Sequence, residues 1–175
     1  MTFRGWATTM ACGALLWVGC SDELSWKAVH AMIDATYGAV PTLTTDALAQ
    51  RLADTTRAAP VLLDARTPEE FAVSHLPGAR RIDPGATNYK ALQDTLARDT
   101  PVVVYCSVGY RSAGVVQQLR QQGFTNVYNL RGSIFQWANE GRPVYRRGRR
   151  VQAVHPYDAT WGRLLADSLR AYTVE

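Results

Sequence analysis

The run "PVVVYC", residues 101–106, is the tightest constraint on what this chain folds into. Val102, Val103, Val104 and Tyr105 carry no alternating polar face, so a strand made of them has to be covered on both sides. That is the mark of an interior strand in a parallel sheet sandwiched between helices. The surrounding chain supplies such a setting. Short apolar runs and amphipathic segments take turns from residue 61 to residue 141, which predicts an α/β fold, a mainly parallel central sheet with helices on both faces.

The segment signals are local. "PVLLDAR" reads as a strand over Val61–Leu63 ending in charge at Asp64 and Arg66. Thr67 is positioned to cap a helix whose first residue is Pro68 and whose first turn holds two acids. Pro77-Gly78 turns the chain into a strand ending near Asp83, and "NYKALQDTLA" reads as a helix. "RSAGVVQQLRQQG" is a helix closed by Gly123, "NVYNL" a strand, and "GSIFQWANEG" a helix running from Ser133 to Gly141. Upstream, Trp26, Val29, Ile33 and Tyr37 share a helical face that Pro41 stops, and a second helix follows with Thr44 or Thr45 as its cap. Downstream, Trp161, Leu164, Leu165 and Leu169 lie on one helical face, predicting a C-terminal helix that packs back on the domain.

A chain of 175 residues with 47% hydrophobic residues and 19% charged residues is one globular domain with extensions. The net charge of +4 is mild, and much of it sits in Arg146, Arg147, Arg149 and Arg150. Such a run reads first as a solvated face and second as a contact for anionic lipid headgroups. No basic surface interleaved with aromatics points to nucleic acid. His30 and His155 have no metal-ligand spacing with any Cys or acid, so no metal site is expected.

The first twenty residues form a separate signal. Arg4 is followed by an uncharged, largely apolar run to Val18, shorter than the ~20 residues of a membrane span and of a length fitting an export signal. It closes on Leu16, Trp17, Val18, Gly19 and Cys20, which resembles the bacterial lipoprotein signal, where a small residue precedes a cysteine that is lipidated before cleavage. The expected organisation is a signal over 1–19, a helical extension over 20–41, the main domain over 42–145, and a basic segment with a helical tail over 146–175. The resemblance implies export to the periplasmic side of a bacterial envelope and a lipid anchor at Cys20. Cys12 would leave with the signal, making Cys106 the only thiol of the mature protein.

Cys106 stands where sites form in such sheets, beyond the C-terminal end of a strand, and Asp64 and Arg66 stand at the equivalent place one strand away. Ser107, Val108, Gly109, Tyr110 and Arg111 then lead into a helix. Amides of such a loop, pointing inward at a helix N-terminus, would hold a sulfur as thiolate and lower its pKa from ~8.5 into the range ~3.5–7.5. Gly109 gives the loop its backbone freedom. Arg111 adds charge or braces the rim.

"LLDARTPEEFAVSHLPGARRID", "PVVVYCSVGYRSAGVVQQLRQQGF" and "NVYNLRGSIFQWANEGRPV", in this order, resemble a rhodanese (thiosulfate sulfurtransferase) domain over roughly residues 42–145. The resemblance implies that Cys106 takes a sulfane sulfur from a small donor, becomes a persulfide, and yields the sulfur to a thiol or cyanide-like acceptor, without a cofactor. It implies that the amides of 107–111 stabilise the persulfide. Cys106 and Arg111 are separated as C-x4-R, the shorter sulfurtransferase form. Phosphatases of the same fold use C-x5-R, so phosphatase activity is a weak alternative. A second alternative is a non-catalytic sulfur-binding or redox-sensing module. Glu70 is expected either to brace the loop through Arg111 or Arg66 or to serve only its helix dipole. Asp64 and Arg66 are expected to tie the strand end to neighbouring loops, His75 to pack and hydrogen-bond within its turn, and Val108 and Tyr110 to shape the entrance.

Overall fold

The elements follow the apolar runs, and their register carries the site. A computed structural model describes residues 21–174, with side chains from residue 26 onward. The expected signal, Cys12 and the expected lipidation position Cys20 lie outside the described residues. The strands are β1 (Thr42–Leu43), β2 (Val61–Asp64), β3 (Arg80–Arg81), β4 (Val102–Tyr105), β5 (Val127–Leu130), β6 (Val144–Arg146) and β7 (Arg149–Val151). The helices are α1 (Ser21–Tyr37), α2 (Thr45–Ala53), α3 (Pro68–Val73), α4 (Lys90–Thr95), α5 (Tyr110–Gln121) and α6 (Ser133–Asn139).

The first five strands form one parallel sheet in the order β1-β5-β4-β2-β3, with β4 at its centre. All four residues of β4 are buried, as its sequence requires. Alternation along the strand splits them between two cores. Val102 and Val104 pack with Val115, Val116 and Leu119 of α5. Val103 and Tyr105 pack with Leu48 of α2 and with Ile134 and Phe135 of α6. The edge strands β1 and β3 are only two residues long, which leaves little unpaired backbone at either margin.

Helix α3 starts as expected. The Thr67 hydroxyl accepts the Glu70 amide at 3.3 Å, while the Thr67 amide donates to Glu70 Oε2 at 2.9 Å, a reciprocal capping box with Pro68 at the first position. Two segments differ from their sequence reading. Thr42–Leu43 pairs with β5, secured by the Asn129 amide donating to Pro41 O (2.8 Å) and the Arg131 amide to Leu43 O (2.9 Å). The C-terminal tail is not an α-helix. It opens with the β6–β7 hairpin, turning through Arg147 and Gly148 at φ 49° and 76°, and continues as two 3-10 turns, Trp161–Leu164 and Asp167–Leu169.

The tail's local hydrogen bonding explains this outcome. Arg170 donates from Nε and Nη2 to Leu165 O at 2.9 and 2.7 Å, and Val154 pairs with the 169–171 backbone. Those bonds take carbonyls and amides that a continuous helix would need. The tail nonetheless packs on the domain as expected, burying Val154 and Leu165 in the core shared with α6. Of the basic cluster, Arg147, Arg149 and Arg150 are exposed, and none of the four arginines has an acidic partner within 4.0 Å among the described residues.

Candidate active site

Cys106 is the first residue past β4, with its side chain turned to the α5 face of the sheet. The Gly109 amide donates to its Sγ at 3.1 Å, and Ser112 Oγ lies 3.6 Å from it. Gly109 is the N-cap of α5 and adopts φ 110°, a left-handed conformation that costs glycine little. A Cβ there would also stand 3.4 Å from Ile33 Cδ1, so α1 closes over the back of the loop. Helix α6 holds the other side. The amides of Ile134 and Phe135 donate to Cys106 O (3.2 Å) and Ser107 O (3.1 Å), and the Cys106 amide donates to Ser133 Oγ (3.1 Å). With those carbonyls drawn toward α6, the Gly109 amide is left facing the sulfur.

Burial pushes the Cys106 thiol up, but the Arg111 charge and the hydrogen bonds from Ser112 and Gly109 outweigh it. The net direction is down from the ordinary value. Ser112 lies one residue beyond the loop expected to cradle the sulfur. It is oriented by Asn129, whose Oδ1 accepts the Ser112 hydroxyl at 2.7 Å and whose Nδ2 donates to Gly109 O at 3.0 Å. A buried asparagine within an apolar strand was the signal in "NVYNL" that would have pointed to this contact. Ser133, at φ 51°, offered no comparable signal.

Arg111 and Glu70 form a two-pronged pair, with Nη1 donating to Oε2 and Nη2 to Oε1, both at 2.7 Å. Ser107 joins them, its hydroxyl donating to Glu70 Oε1 at 2.8 Å and accepting from Arg111 Nη2 at 2.9 Å. Of the roles expected for Glu70, the geometry selects the brace to Arg111, combined with capping α3. Burial works against the Glu70 carboxylate, yet Arg111, the Thr67 amide and the Arg66 charge hold its pKa down at about 2.

Asp64 and Arg66 stay behind the site. Arg66 donates from Nε and Nη2 to the Asp64 carboxylate at 2.9 and 2.7 Å, and from Nη2 to Ser74 O at 2.6 Å, with both side chains sealed from solvent. This ties the end of β2 to the loop after α3, as the sequence predicted. His75 stacks on Phe71 with centroids 4.3 Å apart, and its backbone pairs with Tyr145, so its role is packing.

A cavity of about 100 Å3 opens onto Cys106. Val108 and Tyr110 line it, as expected for the entrance, and Arg111 forms part of its wall. Tyr157 and Trp161, from the tail, complete it. The Arg111 guanidinium lies 4.9 Å from the centroid of the Tyr157 ring. Neither aromatic figured among the residues singled out in the sequence as part of a site.

A family model described as a rhodanese-like domain matches residues 44–140. The chain belongs to the rhodanese-like domain family. It is 38% identical over 99 residues to a protein named sulfurtransferase from Allochromatium vinosum, covering 57% of this chain and 89% of that one. It is 37% identical over 84 residues to the thiosulfate sulfurtransferase GlpE of Actinobacillus succinogenes, covering 48% and 74%. The crystal structure of the BH2092 protein from Bacillus halodurans superposes with a TM-score of 0.59 at 18% identity, over 81% of this chain and 98% of that one, a likeness of fold. The matched residues contain β2 to β5, the Cys106 loop and Glu70, and β1 lies just before them. Helix α1 and the aromatic pair Tyr157 and Trp161 fall outside the matched residues, yet both border the loop.

Proposed function

We propose that this protein is a sulfurtransferase that carries a sulfane sulfur on Cys106. The observation supporting this most directly is the buried sulfur at the start of α5, receiving the Gly109 amide, with Ser112 Oγ 3.6 Å away, in the field of Arg111. In the first half-reaction the Cys106 thiolate attacks the outer sulfur of thiosulfate or a persulfide. A sulfur–sulfur bond forms at Cys106, the bond from that sulfur to its carrier breaks, and the electron pair leaves with sulfite or the carrier thiolate. In the second, a thiol or cyanide-like acceptor attacks the terminal sulfur, and the pair from the breaking bond restores the thiolate. Charge is conserved in both steps, so the donors that hold the thiolate also serve the anionic persulfide.

Exposure to thiosulfate or a persulfide should add ~32 Da, one sulfur atom, at Cys106. Cys106→Ser should abolish both loading and turnover, measured by intact mass and cyanide-dependent thiocyanate release. Sulfur transfer retained by that variant would refute the reading, and stoichiometric loading without turnover would point to a sulfur-binding module instead. The proposal extends to location. The N-terminal pattern ending at Cys20 supports export and lipid anchoring on the periplasmic side of the envelope, and α1 begins at the next residue. Mass analysis of the mature N-terminus from native membranes tests this.

A further inference from the structure

The wall that the tail builds over Cys106 bears on which sulfur donors reach it. Tyr157 is held at φ 68°, a conformation uncommon for a bulky side chain and costly enough to need support from its surroundings. That support is visible. The Tyr157 amide donates to His155 Nδ1 at 3.0 Å, and the Trp161 amide to Asp158 Oδ1 at 2.8 Å. Asn139 of α6 clamps the following segment, donating to Leu164 O (2.8 Å) and accepting from the Ala166 amide (2.9 Å). The tail is therefore a fastened wall, and the strained residue is the one facing Arg111.

The wall's chemistry is also distinctive. Among the described residues lining the cavity, Arg111 is the one cation. Both terminal nitrogens donate to Glu70, Nη2 also donates to Ser107, and Tyr157 lies against the guanidinium. With Glu70 ionised, the Arg111 charge is balanced before any substrate arrives. What remains toward the cavity is mostly carbon, from Val108, Tyr110, Tyr157 and Trp161, around a space of about 100 Å3. An anion entering it loses hydration and meets a cation already paired with Glu70. Thiosulfate, a dianion, is penalised most.

We propose that Tyr157 and Trp161 are specificity-determining residues that admit sulfur donors with a small apolar carrier, such as a short alkyl persulfide, over thiosulfate. This rests on the sulfurtransferase reading and names its donor class.

The test uses the full chain and a pair of alkylating probes of similar size, neutral iodoacetamide and anionic iodoacetate. For Cys106 the ratio of their rates should exceed the ratio for free 2-mercaptoethanol by about tenfold. Tyr157→Ala, which uncovers the Arg111 face, should bring the ratio back toward the free-thiol value, while Tyr157→Phe should keep it. Trp161→Ala should speed a bulky neutral reagent, N-benzyl iodoacetamide, by about tenfold relative to iodoacetamide. Sulfur loading by methyl persulfide should outpace loading by thiosulfate in the wild type, a comparison that needs no variant to fold. A wild-type ratio equal to that of the free thiol, an unchanged ratio in folded Tyr157→Ala, or faster loading by thiosulfate would each overturn the inference. Absence of loading from every donor would instead overturn the sulfurtransferase reading.

Discussion

Two arginine–carboxylate pairs lie at the C-terminal end of this sheet, alike in geometry and opposite in setting. Arg66–Asp64 and Arg111–Glu70 each close at 2.7 Å. Both side chains of the first pair are fully buried, whereas Arg111 retains 23% of its side-chain exposure and Glu70 only 2%. The sealed pair holds β2 to the loop after α3 and lies outside the lining of the cavity over Cys106. The half-open pair spans α3 and α5, and its Arg111 lines the space over Cys106. The difference shows that one kind of contact is structural when both ions are sealed. The half-open pair keeps its cation close enough to lower the Cys106 thiol.

The sharpest way to break this comparison is to delete one ion from each pair. Arg66→Met leaves Asp64 buried and unpaired, and should cost about 3–5 kcal/mol of unfolding free energy, read from urea denaturation. If the sealed pair is purely structural, the Cys106 alkylation rate per folded molecule will stay as in the wild type.

A second experiment uses acid. The folded-state pKa of Glu70, about 2, lies below the ordinary value of 4.5. The stability this contributes is full above the unfolded value and is lost as pH falls from about 4.5 toward 2. Denaturation midpoints at pH 6, 4 and 2.5 should show a loss on the order of 2–3 kcal/mol. Glu70→Gln should flatten that dependence, and an equally steep profile in the variant would assign it elsewhere.

Arg111→Met tests the open pair on the sulfur itself. Removing the cation should raise the Cys106 thiol, shifting its alkylation profile toward alkaline pH. An unmoved profile would leave Gly109 and Ser112 as the whole cause of the lowered thiol. The smallest effect belongs to arginines with no acidic partner among the described residues. Arg147→Ala or Arg149→Ala on the exposed hairpin should change stability by less than about 0.5 kcal/mol and leave the thiol profile in place.

Much of this arrangement was legible before any coordinates. The unbroken apolar run before Cys106 announced a strand covered on both faces, and the Thr67-Pro68 start with Glu70 three residues after the cap announced α3. Both are local signals, a hydrophobic pattern and a capping preference, and local signals survive folding when nothing competes for the same backbone groups. The tail illustrates the opposite. Trp161, Leu164, Leu165 and Leu169 have helical spacing, but Arg170 and Val154 take the backbone partners a helix would have used. Ser133 was similarly hidden, because its hydroxyl acquires its role from the Cys106 amide many positions away, whereas Asn129 stood out as a polar residue in an apolar strand.

The sequence by itself determined the fold class, the place of Cys106 past the central strand, and the C-x4-R interval that sets Arg111 at the first turn of α5. These depend on side-chain periodicity and backbone preference over a few residues. The tertiary structure alone decided that Glu70 binds Arg111 while Arg66 binds Asp64, and that Tyr157 and Trp161 wall the cavity. Those outcomes depend on which distant charges and rings meet once the sheet closes, and that distance in space is not written in spacing along the chain.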